Sequence, residues 1–413
     1  MARVPPPNRR FERRLTLALF GVAASTQSPS PVLLYYTDRL GLDAFDLTVF
    51  FAIYAIGLVP SLLLGGPYSD RYGRRTVVVP VSLLSVVALL VLVLADTAGQ
   101  PALLVGRFLQ GVTSGAVFTV GTVWMRELAG TQRAAAAAMR ASAAMAVGFA
   151  LGPFIAGALV QWAPWPAVLP FVLPLALVLL SFVLARSGPE TMTLKRPGRL
   201  QIGVPPGAAR GFWVYLLPAG LLVYSFAVLS LTVFPLLVAR AGFTATLFLA
   251  GLMALIVQGS AALSTAWARR LGPGPSGWIA ALLAAIGCGF GYLAVQPDSW
   301  PWVLPASLAI GVSEGLAITS GITVSDWLAP PHRRGGLVSV FYLVVYFGFL
   351  VPAILVLVSG EALFGGTPIL ALGACALVVA VVLALPGRRL VTRVAPAPAA
   401  ASAGADRRTT STS

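Results

Sequence analysis

The chain has 413 residues, of which 58% are hydrophobic and only 10% charged, too little charge to cover the surface of a soluble protein of that length. A net charge of +15 would suit a nucleic-acid binder in water, but here the basic residues sit in short breaks between long apolar runs. That placement points to a lipid bilayer and away from nucleic acid.

A hydrocarbon core of about 30 Å takes roughly 20 helical residues to cross. Twelve runs of about that length follow one another. The first six are Leu15–Tyr36, Thr48–Gly66, Thr76–Ala95, Pro101–Met125, Ala138–Trp162 and Pro166–Ala185. The second six are Gly211–Ala239, Leu247–Ala268, Ser276–Val295, Trp302–Val324, Leu337–Ser359 and Thr367–Leu385. Runs this long without apolar–polar alternation form helices and exclude a barrel. The expected fold is therefore all-α and integral to the membrane. Its parts are a tail 1–14, a six-helix bundle 15–185, a linker 186–210, a second six-helix bundle 211–385 and a disordered tail 386–413.

With the N-terminus in the cytoplasm, all of the 28 Lys and Arg residues except Arg39, Arg107 and Arg240 fall on the inner side. An even number of spans puts both termini there. Arg13 and Arg14 before Val22-Ala23-Ala24 imitate a cleavable signal. Cleavage would leave an odd number of spans, so this run is read as the first span. The proline-rich linker carries Lys195, Arg196 and Arg199. Cys288 and Cys375 lie inside spans and His332 in a loop, which gives neither a disulfide framework nor a metal site.

Sliding the chain against itself by 200 residues reveals a repeat. Pro101, Gly111, Val112, Gly115, Thr119 and Gly121 meet Pro301, Gly311, Val312, Gly315, Thr319 and Gly321, Arg133 meets Arg333, and Gly148-Phe149 meets Gly348-Phe349. Apolar composition alone would align Leu, Val and Ala, not these glycines and loop arginines. The chain is a duplicated six-span unit, with its substrate path expected between the halves near the midplane.

Between the second and third spans stands Gly66-Pro-Tyr-Ser-Asp70-Arg71-Tyr-Gly73-Arg74-Arg75. It resembles the G-x-x-x-D-R-x-G-R-R loop of the major facilitator superfamily. The resemblance implies a conformational latch between the halves on the cytoplasmic side, built on Asp70 and Arg74 with Glu127 as partner. A carboxylate near a helix N-terminus and a closable charge pair suit that role. The equivalent loop of the second half, Ala268-Arg269-Arg270-Leu271-Gly272, has lost the acid.

Arg107-Phe-Leu-Gln110-Gly111 resembles the family's R-x-x-Q-G motif, whose arginine is implicated in proton coupling in some members. The alternative for Arg107 is snorkelling to the nearby outer interface. Gly148-x-x-x-Gly152-Pro153-x-x-x-Gly157 resembles the antiporter motif found in exporters, and the alternative is plain helix packing.

Glu314 is the one acid deep in a span. At that depth it must be protonated, paired or wetted, which suits proton exchange or contact with a cationic substrate; the alternative is a permanent hydrogen bond to a Ser or Thr. Gln27, Gln110, Tyr224, Gln258, Tyr342 and Tyr346 complete the cavity candidates. The resulting expectation is a monomeric, proton-coupled exporter of small organic molecules in the cell membrane, without cofactor, metal or catalytic residues. Uptake by symport and a membrane receptor that does not transport are the alternatives.

Overall fold

The computed structural model describes residues 9–42, 44–191, 203–330, 333–351, 354 and 366–395. Among the described residues there are helices and no strands. Eleven helices among the described residues are long and apolar enough to cross a membrane. Spans 1 to 6 are Arg9–Thr37, Phe45–Tyr72, Arg74–Val93, Gln100–Ala129, Thr131–Trp162 and Leu169–Arg186. Spans 7 to 10 are Pro206–Ala239, Thr246–Leu271, Pro273–Leu293 and Trp300–Leu328. The shorter apolar helix Gly336–Leu350 is span 11, and Gly366–Val394 is span 12. Lys195, Arg196, Arg199, His332, the outer part of the expected eleventh span and the chain after Ala395 lie outside the described residues.

Several helices run further than hydropathy draws them. Span 2 continues past Gly66 to Tyr72, span 4 past Met125 to Ala129 and span 12 past Leu385 to Val394. A hydropathy window closes where charge begins, whereas a helix stops where its backbone is capped or broken. Residues 386–394, expected as the start of a disordered tail, are therefore helical, and much of the motif read as a loop after Gly66 is the last turn of a helix.

The halves repeat each other in packing as well as in sequence. A Cβ on Gly115 would strike the Leu58 carbonyl on span 2, and one on Gly315 would strike the Ala261 carbonyl on span 8. Gly148 lies against Phe20 and Ala24 of span 1, and Gly348 against Leu221 and Ser225 of span 7. These aligned glycines thus sit at equivalent helix contacts in both bundles, whereas Gly121 meets Leu19 of span 1 and Gly321 meets Phe341 of span 11.

Leu64, Leu83, Leu90, Leu179 and Val378 face outward, as a lipid-exposed surface requires. Exposed tryptophans mark both interfaces, Trp213 and Trp267 at the arginine-rich end and Trp162, Trp165 and Trp302 at the opposite end. At the arginine-rich end Glu12 is buried and bonded to Arg133 at 2.8 Å and Arg140 at 2.9 Å, which ties the start of span 1 to span 5. One apolar cluster crosses between the bundles, joining Phe50, Phe51 and Tyr54 to Leu231, Ala254 and Phe349.

Candidate substrate and coupling site

Span 1 breaks in mid-membrane. Its helix Arg9–Gln27 stops and restarts at Pro29, in the run Ser28-Pro29-Ser30-Pro31. Pro29 has no N–H to give the Ser25 carbonyl, and an unsatisfied carbonyl in hydrocarbon costs several kcal/mol. Span 4 supplies the donors. Gln110 Nε2 donates to Ser25 O at 2.9 Å, and Arg107 Nη1 donates to Thr26 O at 2.7 Å and to Gln110 Oε1 at 3.0 Å. The Arg-x-x-Gln spacing is one helical turn, which brings both side chains to the same break.

Arg107 is 0% exposed, so it does not snorkel to the interface. Its guanidinium lies over the rings of Tyr54 at 4.4 Å, Phe50 at 4.7 Å and Phe51 at 5.6 Å, all on span 2. Cation–π contact offsets part of the desolvation. Nε and Nη2 have no hydrogen-bond partner, and no carboxylate pairs with Arg107 among the described residues.

The same aromatic face meets the second half. Phe51 stacks on Phe349 at 5.9 Å, Phe349 on Tyr224 at 4.4 Å, and Tyr224 lies 5.3 Å from Tyr346. Tyr342 continues the row, 6.4 Å beyond Tyr346. Glu314, on span 10, is buried, and its Oε2 has no partner, so a permanent Ser or Thr bond to that oxygen is ruled out. Gln27 Oε1 and the hydroxyls of Ser225, Ser230 and Ser313 are also buried without partners. So many unsatisfied polar atoms at the depth of the helix breaks mark a place built for something other than protein packing. Gln258 is partly buried on span 8 and joins none of these contacts.

Span 7 is irregular at the matching depth, with a π-helical turn at Leu229–Val233 in place of the proline break. Sequence reading missed both irregularities, although Ser-Pro-Ser-Pro inside an apolar run was a usable signal. Nothing in the sequence separated Phe51 and Phe349 from ordinary core residues.

Among the described residues, hydrogen bonds between the halves occur at the end opposite the arginines. Gln161 Nε2 donates to Thr244 O at 3.1 Å, and its Oε1 accepts from Leu247 N at 3.1 Å. Phe248 packs against Trp162 at 4.9 Å and Phe154 at 5.6 Å. The glycine motif of span 5 divides in two. Gly148 and Gly152 abut span 1 of their own half, whereas Gly157 lies against Leu247 and Gly251 of span 8. Next to this seal a cavity of about 480 Å³ is lined by Tyr35, Arg39, Gln161 and Thr246.

At the arginine-rich end Arg74 joins Asp70 at 2.6 Å and Glu127 at 2.8 Å. These partners all belong to the first half. Gly66 lies in helix, Arg71 covers the Tyr72 ring at 5.3 Å, and Gly73 turns the chain with φ +107°. Glu190, at the start of the linker, accepts from the N–H groups of Arg74 at 2.8 Å and Arg75 at 3.0 Å, and so caps span 3. Thr191 Oγ1 reaches Glu127 Oε2 at 2.5 Å. In the second half Gly272 keeps a positive φ of 77°, while Arg269 and Arg270 have no carboxylate partner among the described residues. Replacing Glu190 with Ala is expected to remove a cap worth about 1 kcal/mol, read as a lower thermal midpoint of the purified protein. Gly73→Ala should act in the same direction, because its Cβ would enter the Glu190 carboxylate.

Two six-helix halves with partnerless polar groups buried between them at mid-membrane have the architecture of a secondary transporter. Residues 15–353 match the family model described as Major Facilitator Superfamily, and the chain belongs to that family. It is 27% identical over 157 residues to the multidrug resistance protein MdtL of Escherichia coli O45:K1 (strain S88 / ExPEC), over 37% of this chain and 40% of that protein. MdtL of Klebsiella pneumoniae subsp. pneumoniae is 29% identical over 96 residues, 23% of this chain and 24% of its own. The matches therefore span less than half the length of these relatives.

Among solved structures, a peptide transporter POT in complex with sulfate superposes with a TM-score of 0.79 at 16% identity, covering 94% of this chain and 97% of that one. A D-xylose-proton symporter gives 0.68 at 17% identity, covering 91% and 97%. These are likenesses of fold. The family and its structural neighbours are transporters rather than enzymes.

Proposed function

We propose that the protein is a proton-coupled exporter of small organic molecules, working by alternating access as a monomer in the plasma membrane with both termini in the cytoplasm. The observation that carries the reading is Glu314, a buried carboxyl with a partnerless oxygen on the opposite half from Arg107. A group of this kind is held without compensation only where it has work to do. Export is supported by the span 5 motif, whose Gly157 sits at the contact between halves, and by the multidrug resistance proteins among the relatives.

In this reading the two bundles, 15–185 and 211–385, rock against each other so that the aromatic seam between them opens and closes. Gln161 and Gly157 close the outer side in the present state. Asp70, Arg71, Gly73, Arg74, Arg75 and Glu127 shape the cytoplasmic latch, which forms within the first half and presents its surface to the second.

The test is a host stripped of its own exporters, expressing the chain and challenged with antibiotics of different charge. Export predicts raised resistance that disappears when an uncoupler collapses the proton gradient. Greater accumulation of any compound in expressing cells would instead establish uptake by symport. Gln161→Ala, which deletes the three hydrogen bonds of the outer seal, is expected to raise labelling of an Ala254→Cys reporter, buried in the cluster between the halves, by a thiol reagent that cannot cross the membrane.

A further inference from the structure

We infer that the central site takes an aromatic organic anion, whose carboxylate binds the free edge of Arg107 and whose ring enters the seam at Phe51 and Phe349. The inference rests on the transporter reading above and adds the charge and shape of the substrate.

Arg107 spends one of its nitrogens, Nη1, on Thr26 O and Gln110 Oε1. The nitrogens left over are Nε and Nη2, both buried and both without a partner. These two form one side of the guanidinium fork, the spacing that receives the two oxygens of a carboxylate in parallel. A lysine would satisfy the helix break with a single charged donor. An arginine brings a second pair of donors that the helix break does not use.

The charge balance points the same way. Four of the five ion pairs found have their acids at the arginine-rich end, the fifth joins Arg39 to Asp96 at the opposite end, and none includes Arg107. Glu314 belongs to the other half, and the two residues are not bonded to each other. A fully buried cation compensated by two neutral acceptors on one nitrogen and by ring faces, with no carboxylate, lacks much of the compensation that water gave it. Phe50, Phe51 and Tyr54 belong to the same half as Arg107, but Phe51 is also the stacking partner of Phe349 in the other half, which holds its ring over the guanidinium. Separation of the halves removes Phe349 from Phe51 and leaves the Phe51 ring free to turn, which opens an aromatic slot beside the bidentate donor edge. A flat ring carrying a carboxylate meets both requirements, replacing the Phe51–Phe349 contact with two ring–ring contacts and supplying the missing counter-charge.

The full-length protein in detergent provides the test, with biphenyl-4-carboxylate, biphenyl-4-carboxamide and biphenyl-4-ylmethylammonium as probes of one shape and three charges. Equilibrium binding and thermal stabilisation should rank the acid first, by about tenfold or more over the amide, the ratio expected for a paired charge against a neutral group. Arg107→Gln, which keeps a donor for Thr26 O and removes the charge, should lose that preference while remaining monodisperse. Phe51→Leu should weaken acid and amide alike.

Equal binding of acid and amide, preference for the ammonium, binding of none of the three, or an acid preference that survives Arg107→Gln would each overturn the assignment. Transport separates it from the export reading. Acid binding without proton-driven movement in proteoliposomes would leave the site and remove coupled export, whereas gradient-driven movement of the ammonium alone would do the reverse.

Discussion

Glu314→Gln is expected to abolish substrate movement driven by a pH gradient, lowering the driven flux by more than about tenfold, a change of at least about 1.4 kcal/mol in the coupled step. Exchange of labelled for unlabelled substrate at equal pH should persist. Glutamine has the shape of the protonated acid and cannot release a proton, so it removes the chemistry while sparing the packing. The reason to expect so large an effect is local. Glu314 is buried, and its Oε2 has no donor in the closed structure. An ionised oxygen there would be desolvated and unpaired, whereas the neutral acid is tolerated. Opening the seam admits water and allows ionisation, which ties the charge of one side chain to the position of two bundles. Glu314→Asp should retain driven transport at a reduced rate. Driven flux that is unchanged in Glu314→Gln, with the same dependence on the gradient, would remove this residue from coupling.

The path from sequence to this site was uneven for physical reasons. Among the described residues, eleven of the expected spans appear as membrane-length helices and the inner part of the eleventh as a shorter one, because a bilayer imposes helix length directly. The repeated glycines were visible because close backbone contact tolerates no other side chain, and Gly115 with Gly315 occupies equivalent contacts in the two halves. The motif sets Arg74 opposite Glu127, and their 2.8 Å contact lies within one bundle rather than between the two.

Arg107 was ambiguous in sequence because depth along one helix does not determine what the neighbouring helices offer. The snorkelling alternative failed once span 2 laid three rings across the guanidinium and span 1 broke beside it. Glu190 and Gln161 could not be recognised. Each makes its bonds to backbone groups far away in the chain, and such bonds leave no pattern in the partner's residue type. The aromatic seam was hidden for the opposite reason, since Phe51 and Phe349 are ordinary residues for a membrane helix and acquire meaning only from the pairing of halves.

The span 5 motif provides the second large effect, because its glycines do two different jobs. A Cβ at position 157 would stand 2.7 Å from Leu247 O and 3.1 Å from Gly251 Cα, both in the other half. Backbone atoms cannot yield, so Gly157→Leu must drive spans 5 and 8 apart. The contacts that then fail are the Gln161 bonds and the Phe248 packing, which together form the seal. Transport should fall by more than about tenfold, and an Ala254→Cys reporter, buried in the cluster between the halves, should become reactive toward an impermeant thiol reagent. Thermal stability should change little, since each bundle keeps its own core.

Gly148→Leu offers the contrast. Its Cβ would stand 2.6 Å from Phe20 O and 2.8 Å from the Ala23 Cβ, within the same half. Overpacking there costs about 1–3 kcal/mol and lowers the thermal midpoint of the bundle without unsealing the protein. If both variants lose stability alike and neither changes reporter labelling, the motif serves helix packing alone. If only Gly157→Leu opens the reporter, the glycine between the halves is the pivot on which this state closes, and its two neighbours in the motif hold span 5 in place to present it.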